Sequence, residues 1–89
     1  AISEAQADVA DAEITARTAL GPALSAAQEA LRIARIGYRE GKFSQLDLIE
    51  AERTLDDTRN AAIDAVYQYH AAVARLERLT AAYPTGGDR

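Results

Sequence analysis

The second half of the chain carries an apolar repeat that only a long helix can satisfy. Leu48, Ala51, Leu55, Thr58, Ala62, Ala65, Tyr69, Ala72, Leu76, Leu79 and Tyr83 alternate at spacings of three and four. That is the pattern of a coiled-coil seam, held here over about five heptads. Thr58 is its single polar member. A weaker stripe through Ile49, Ile63, Val66 and Val73 runs beside it, so the apolar arc is wide enough to meet more than one neighbour.

The first half reads the same way. Ile2, Ala5, Val9, Ala12, Ala16, Ala19, Ala23, Ala26, Ala30, Ile33 and Gly37 keep the alternation without a break, and a bulkier stripe through Leu20, Leu24, Ala27, Leu31, Ala34 and Tyr38 flanks it. Gly41 follows the last periodic residue, where a left-handed C′ glycine closes a helix. Ser44 with Asp47 three residues on resembles a capping box, the acid lying beside the positive helix end. So short a connection makes its flanking helices antiparallel.

The expected fold is therefore all-α, a long antiparallel helical hairpin (a coiled coil) over residues 1–83. Its helices cover about 2–40 and 45–82, with a tip turn at 41–44 and a frayed tail at 84–89. Gly21-Pro22 interrupts the first helix, because proline removes a hydrogen bond and clashes with the preceding turn. Either the helix stops near Leu20 and restarts with Pro22 in its first turn, or it continues with a kink; the alanine seam through Ala19, Ala23 and Ala26 keeps phase across the proline, which favours the kink.

Composition fits rods better than globules. Hydrophobic residues make up 48% of the 89 residues, but alanine dominates, with one Phe, four Tyr and no Trp as bulky anchors. Alanine has the best helix propensity and lets helices approach closely. The net charge of -4, with basic residues scattered among acids, argues against a nucleic-acid partner. No cysteine is present for a disulfide or thiolate site. No stretch approaches the ~20 apolar residues of a membrane span, and no signal peptide is visible. The chain starts in helical phase and ends in Thr85-Gly86-Gly87-Asp88-Arg89, which reads as a fragment of a larger protein.

Catalytic constellations are missing. His70 is the lone histidine, on a helix shoulder near Tyr67, Tyr69 and Val73, and reads as a partly buried packing residue rather than a metal ligand or acid-base group. The carboxylate pairs Asp47 with Glu50 and Glu52 with Asp56 would need a pocket to serve as acid and base. The reading is a non-enzyme, without metal or cofactor. The segment Gly37 to Arg53 differs in kind. Its tip carries Arg39, Glu40, Lys42 and Phe43, an aromatic among charges at the end of a rod. That suits either a plain turn or a recognition tip.

Within that segment Tyr38, Gly41, Ser44, Leu46, Asp47, Leu48, Glu50, Ala51, Arg53 and Leu55 resemble the repeat signature of TolC-like outer-membrane efflux proteins, Y-x-x-G-x-x-S-x-L-(D/E)-(V/L)-L-(D/E)-A-Q-R-x-L. The resemblance reaches back to Pro22 and on through Tyr67, Tyr69, Ala71 and Ala74 to Leu76-Glu77-Arg78-Leu79-Thr80. Glu52 stands where the family has glutamine, and Ile49 where it has leucine.

The resemblance implies the periplasmic hairpin of a trimeric outer-membrane export channel, working with a periplasmic adaptor and an inner-membrane pump. It implies that Gly41, Lys42, Phe43, Ser44 and Leu46 form an adaptor-binding tip. Tyr38, Asp47 and Glu50 would then act at the gate or lumen. The Gly-Lys-Phe-Ser turn and the Glu-Arg-Leu-Thr ending most resemble the heavy-metal (cobalt-zinc-cadmium) subgroup, with drug exporters as the other option. The surplus apolar stripes fit helices that pack on both sides, and they predict self-association of the isolated chain into a dimer or bundle. The competing reading is a generic coiled-coil interaction module.

Overall fold

The computed structural model describes residues 1–82. Tyr83, expected to close the seam, and the tail at 84–89 lie outside the described residues. Helix α1 runs over Ile2–Thr18, a π turn over Ala19–Ala23, α2 over Leu24–Arg39 and α3 over Gln45–Ala82. α1, the π turn and α2 form one arm that packs along α3, and the Cα extents of 70 × 14 × 13 Å are those of a two-helix rod.

The seam of α3 falls where the heptads place it. Leu55, Ala62 and Ala65 are buried, and Leu48, Ala51, Thr58, Tyr69, Ala72, Leu76 and Leu79 are half-buried. Thr58 is accommodated because its hydroxyl donates to the Thr54 carbonyl at 2.7 Å, so no unpaired polar group enters the seam. The interior is otherwise thin. Among the described residues Ala5, Ala16, Ala27, Leu31, Ala34, Leu55, Ala62 and Ala65 make up the buried hydrophobics, and none of the larger side chains is fully buried. Ala27, Leu31 and Leu55 form the densest cluster, with Leu24, Leu48 and Ala51 against it. At about 0.8 kcal/mol per buried methylene, an alanine seam supplies little of the stability and the leucines supply most of it.

The first arm corrects the expected register. Up to Ala19 the alanine seam faces α3, with Ala5 and Ala16 buried. From the end of the π turn onward Ala23, Ala26, Ala30 and Ile33 are exposed, and Leu24, Ala27, Leu31 and Ala34 turn inward instead. The buried stripe therefore shifts by one residue at Gly21-Pro22. Proline explains where this happens. Pro22 has no N–H to offer the carbonyl one α-turn earlier, and a π turn passes that acceptor to the following residue, adding one residue to the turn. The arm thus continues through the proline without a break. Neither space nor backbone sign explains Gly21, whose added Cβ would meet nothing within 4 Å.

Electrostatics contribute little to the pairing of the arms. Arg17–Glu13, Arg32–Glu29 and Arg59–Asp56 lie within single helices and are exposed. Arg32 holds the Glu29 carboxyl below its ordinary value through a side-chain hydrogen bond. One ion pair, Arg75 to Asp8 at 2.6 Å, joins α1 to α3, and exposed pairs of this kind are worth about 0–1 kcal/mol.

Candidate functional site: the hairpin tip

Two local motifs meet at the tip and fix its shape. At the end of α2, Gly41 adopts φ +75°. Its N–H donates to the Tyr38 carbonyl at 3.1 Å, and the Lys42 N–H donates to the Gly37 carbonyl at 2.8 Å. These are the paired bonds of a Schellman cap, which satisfy carbonyls that the helix end leaves free. Phe43 then folds back over Gly37, and its N–H also reaches the Gly37 carbonyl at 3.1 Å. A Cβ at Gly37 would stand 2.5 Å from Phe43 Cδ2 and 2.8 Å from Cγ. Position 37 is therefore a seat that only glycine leaves open.

The start of α3 closes the other side. The Ser44 N–H donates to Asp47 Oδ2 at 2.9 Å, and the Asp47 N–H donates to Ser44 Oγ at 3.1 Å. This reciprocal box satisfies two donors of the helix start and sets a carboxylate against its positive end. With only Gly41, Lys42 and Phe43 between the caps, the connection is held by backbone carbonyls on the α2 side and by the Ser44 and Asp47 side chains on the α3 side.

The residues singled out by sequence divide accordingly. Gly41, Ser44 and Asp47 shape the turn, so Asp47 has a structural task and one of its oxygens is engaged. Phe43, 41% exposed, is half seat-filler and half surface. Tyr38 and Leu46 are exposed, at 44% and 63%. Lys42 lies on the rim with its ammonium 3.4 Å from Glu40, and Glu50 is exposed one turn into α3. Sequence reasoning placed Gly37 only as the last seam position and missed its role. The available signal was a glycine six residues before the lone phenylalanine, spanning a predicted C′ glycine.

Partly exposed apolar surface from Tyr38, Phe43 and Leu46 lies beside the hydrogen-bonded turn, among charges of both signs. Further along the rod, Ile14, Leu20, Ile33, Ile63 and Tyr67 are exposed, and Leu20, Leu24, Ala62, Ile63 and Val66 line a shallow apolar groove. His70 is exposed rather than half-buried, its ring edge-on to Tyr69 with centroids 5.5 Å apart. Among the described residues no His, Asp and Glu group is clustered tightly enough to hold a metal ion, and no helix is long and apolar enough to cross a membrane.

Such a rod, with a capped tip and uncovered apolar flanks, is an extended two-helix hairpin. The sequence model of the outer membrane efflux protein family matches residues 1–82, and the chain belongs to that family. It is 32% identical over 65 residues to the cobalt-zinc-cadmium resistance protein CzcC of Cupriavidus metallidurans. The match takes in 73% of this chain and spans 16% of that relative's length. No solved structure matches the chain.

Proposed function

We propose that this hairpin is part of the periplasmic, α-helical section of an outer-membrane efflux channel, and that its tip docks a periplasmic adaptor bridging to an inner-membrane pump. The cargo is divalent heavy-metal cations, as the name of the cobalt-zinc-cadmium relative suggests. The hairpin performs no chemistry. It serves as a stave of a passive duct, in a homo-oligomer that is trimeric by analogy with the family. The exposed stripes through Ile14, Leu20, Ile63 and Tyr67 are then the surfaces that neighbouring staves cover, and they draw the isolated chain into dimers or bundles.

The observation that carries this reading is the tip. A Schellman cap and a capping box fix the short turn, with Phe43 seated on Gly37 and part of its ring exposed and Leu46 exposed in the first turn of α3, a preorganised surface that loses little entropy on binding. In cells whose metal resistance depends on the full-length protein, Leu46→Asp should abolish resistance while protein level and oligomeric state stay unchanged. Leu46 is exposed, so the substitution should change stability by no more than about 0.5 kcal/mol. Resistance retained at normal protein level would remove the tip from the mechanism.

A further inference from the structure

The first arm carries two apolar stripes one residue apart. The alanine stripe is Ala19, Ala23, Ala26, Ala30 and Ile33, and the leucine stripe is Leu20, Leu24, Ala27, Leu31 and Ala34. Both satisfy the spacing of a seam. In an unbroken α-helix the alanine stripe alone stays in phase with Ala5, Ala12 and Ala16. The π turn at Ala19–Ala23 contains the extra residue that brings the leucine stripe inward instead. Two packings of the same helix against α3 are therefore written into the sequence, and they differ by a rotation of about 100° about its axis.

We propose that the π turn makes α2 a rotary element, which turns between a leucine register and an alanine register as the extra residue is taken up by or released from the π turn. In the leucine register Leu31 and Ala34 are buried and Ala30 and Ile33 face outward, as in this structure. In the alanine register Ile33 takes the place of Ala34, and Leu24 and Leu31 turn to the flank. Pro22 biases the arm toward the leucine register, because it lacks the N–H that an α-turn requires at this point. The seat of Phe43 on Gly37 holds the same register from the tip end, so the two constraints bracket α2. A neighbouring surface that fits one outward stripe better than the other selects between the registers through its differential affinity. It thereby re-aims Arg35, Tyr38 and Arg39 beside the tip.

The chain has no cysteine, so single introduced thiols report the register. Ala34→Cys places a thiol at a site 5% exposed, which should become reactive in the alanine register. Ala65→Cys places one at a site 8% exposed on α3, which stays in the seam in both registers. In the full chain the thiol of Ala34→Cys should react with a soluble maleimide at least about tenfold faster than that of Ala65→Cys, since it opens by rotation as well as by unfolding. Deleting Gly21 removes the extra residue and leaves the leucine stripe in phase through a plain α-helix. That deletion should bring the α2 thiol down to the rate of the α3 thiol. Pro22→Ala should speed the α2 thiol and leave the α3 thiol unchanged, which keeps the test open if the deletion variant does not fold. Equal rates at both thiols in the parent chain, or parallel changes at both in either variant, would overturn the proposal.

Discussion

Leu55→Ala should destabilise the hairpin by about 2–4 kcal/mol, the largest loss expected from any single truncation along the rod. Leu55 is 5% exposed and sits between Leu31 and Ala27 at the densest point of the seam. Leu24, Leu31 and Leu48, with Ala27 and Ala51, pack around it, and the space that a lost isobutyl group leaves costs packing contacts to these neighbours. Few other large side chains share the load, so a loss of this size is a large fraction of the total stability. Ile63, of similar volume but 69% exposed, supplies the contrast. Ile63→Ala should change stability by no more than about 0.5 kcal/mol when the chain is monomeric. Urea unfolding followed by circular dichroism at low protein concentration measures both. Equal losses at the two positions would mean that the seam through Leu55 is not the one holding the arms together.

The second large effect is a reversal of sign at Gly37. In an ordinary helical position Gly→Ala is stabilising by about 1 kcal/mol. Here the new methyl would stand 2.5 Å from Phe43 Cδ2 and 2.8 Å from Cγ, and atoms so near the root of the ring cannot move aside without the whole side chain swinging out. Gly37→Ala should therefore cost about 1–3 kcal/mol, as overpacking does, and should speed exchange of the Lys42 and Phe43 amides that bond to the Gly37 carbonyl. In a Phe43→Ala background the same change should become stabilising by about 1 kcal/mol, giving a large coupling energy in a double-mutant cycle. Gly41→Ala isolates the other component of the tip. Its cost of about 1–2 kcal/mol comes from the φ of +75° and not from contact, so Phe43→Ala should not relieve it. Stabilisation by Gly37→Ala with Phe43 intact would refute the seat.

How far sequence could reach follows from which interactions are local. The capping box of Ser44 and Asp47 was legible because it joins residues three apart with fixed chemistry. Gly41 was legible because a left-handed helix end has few candidates other than glycine. The α3 seam was legible because nothing interrupts its heptads. The register of α2 was not, although every residue in it belongs to a visible stripe. The alanine and leucine stripes satisfy the same spacing, and periodicity cannot choose between them. The choice is made by volume in the folded pair, where burying Leu31 in place of Ala30 is worth about 2 kcal/mol. A π turn at Pro22 supplies the residue that the switch requires. Gly37 was overlooked for a related reason, since its role depends on a contact that exists only once the Schellman turn has folded Phe43 back. Of the flanking stripes, that of the first arm turns inward at Ala27, Leu31 and Ala34, and that of α3 stays exposed at Ile49 and Ile63 and half-buried at Val66 and Val73; Ile14 and Tyr67, outside both stripes, are each more than 60% exposed.

If the tip is a rigid projection that meets another protein, a crosslinker on its rim must reach that partner. Lys42 stands on the rim, with its side chain 75% exposed, and can carry a photo-crosslinking amino acid without disturbing either cap. Placed there in the full-length protein and irradiated in living cells, it should yield a single adduct containing the periplasmic adaptor, and Leu46→Asp should erase that adduct. The same crosslinker at Ile63, far along the rod, should join copies of the channel protein to one another. Adaptor captured equally from Ile63, or adducts at Lys42 that contain only further copies of the channel protein, would contradict docking at the tip.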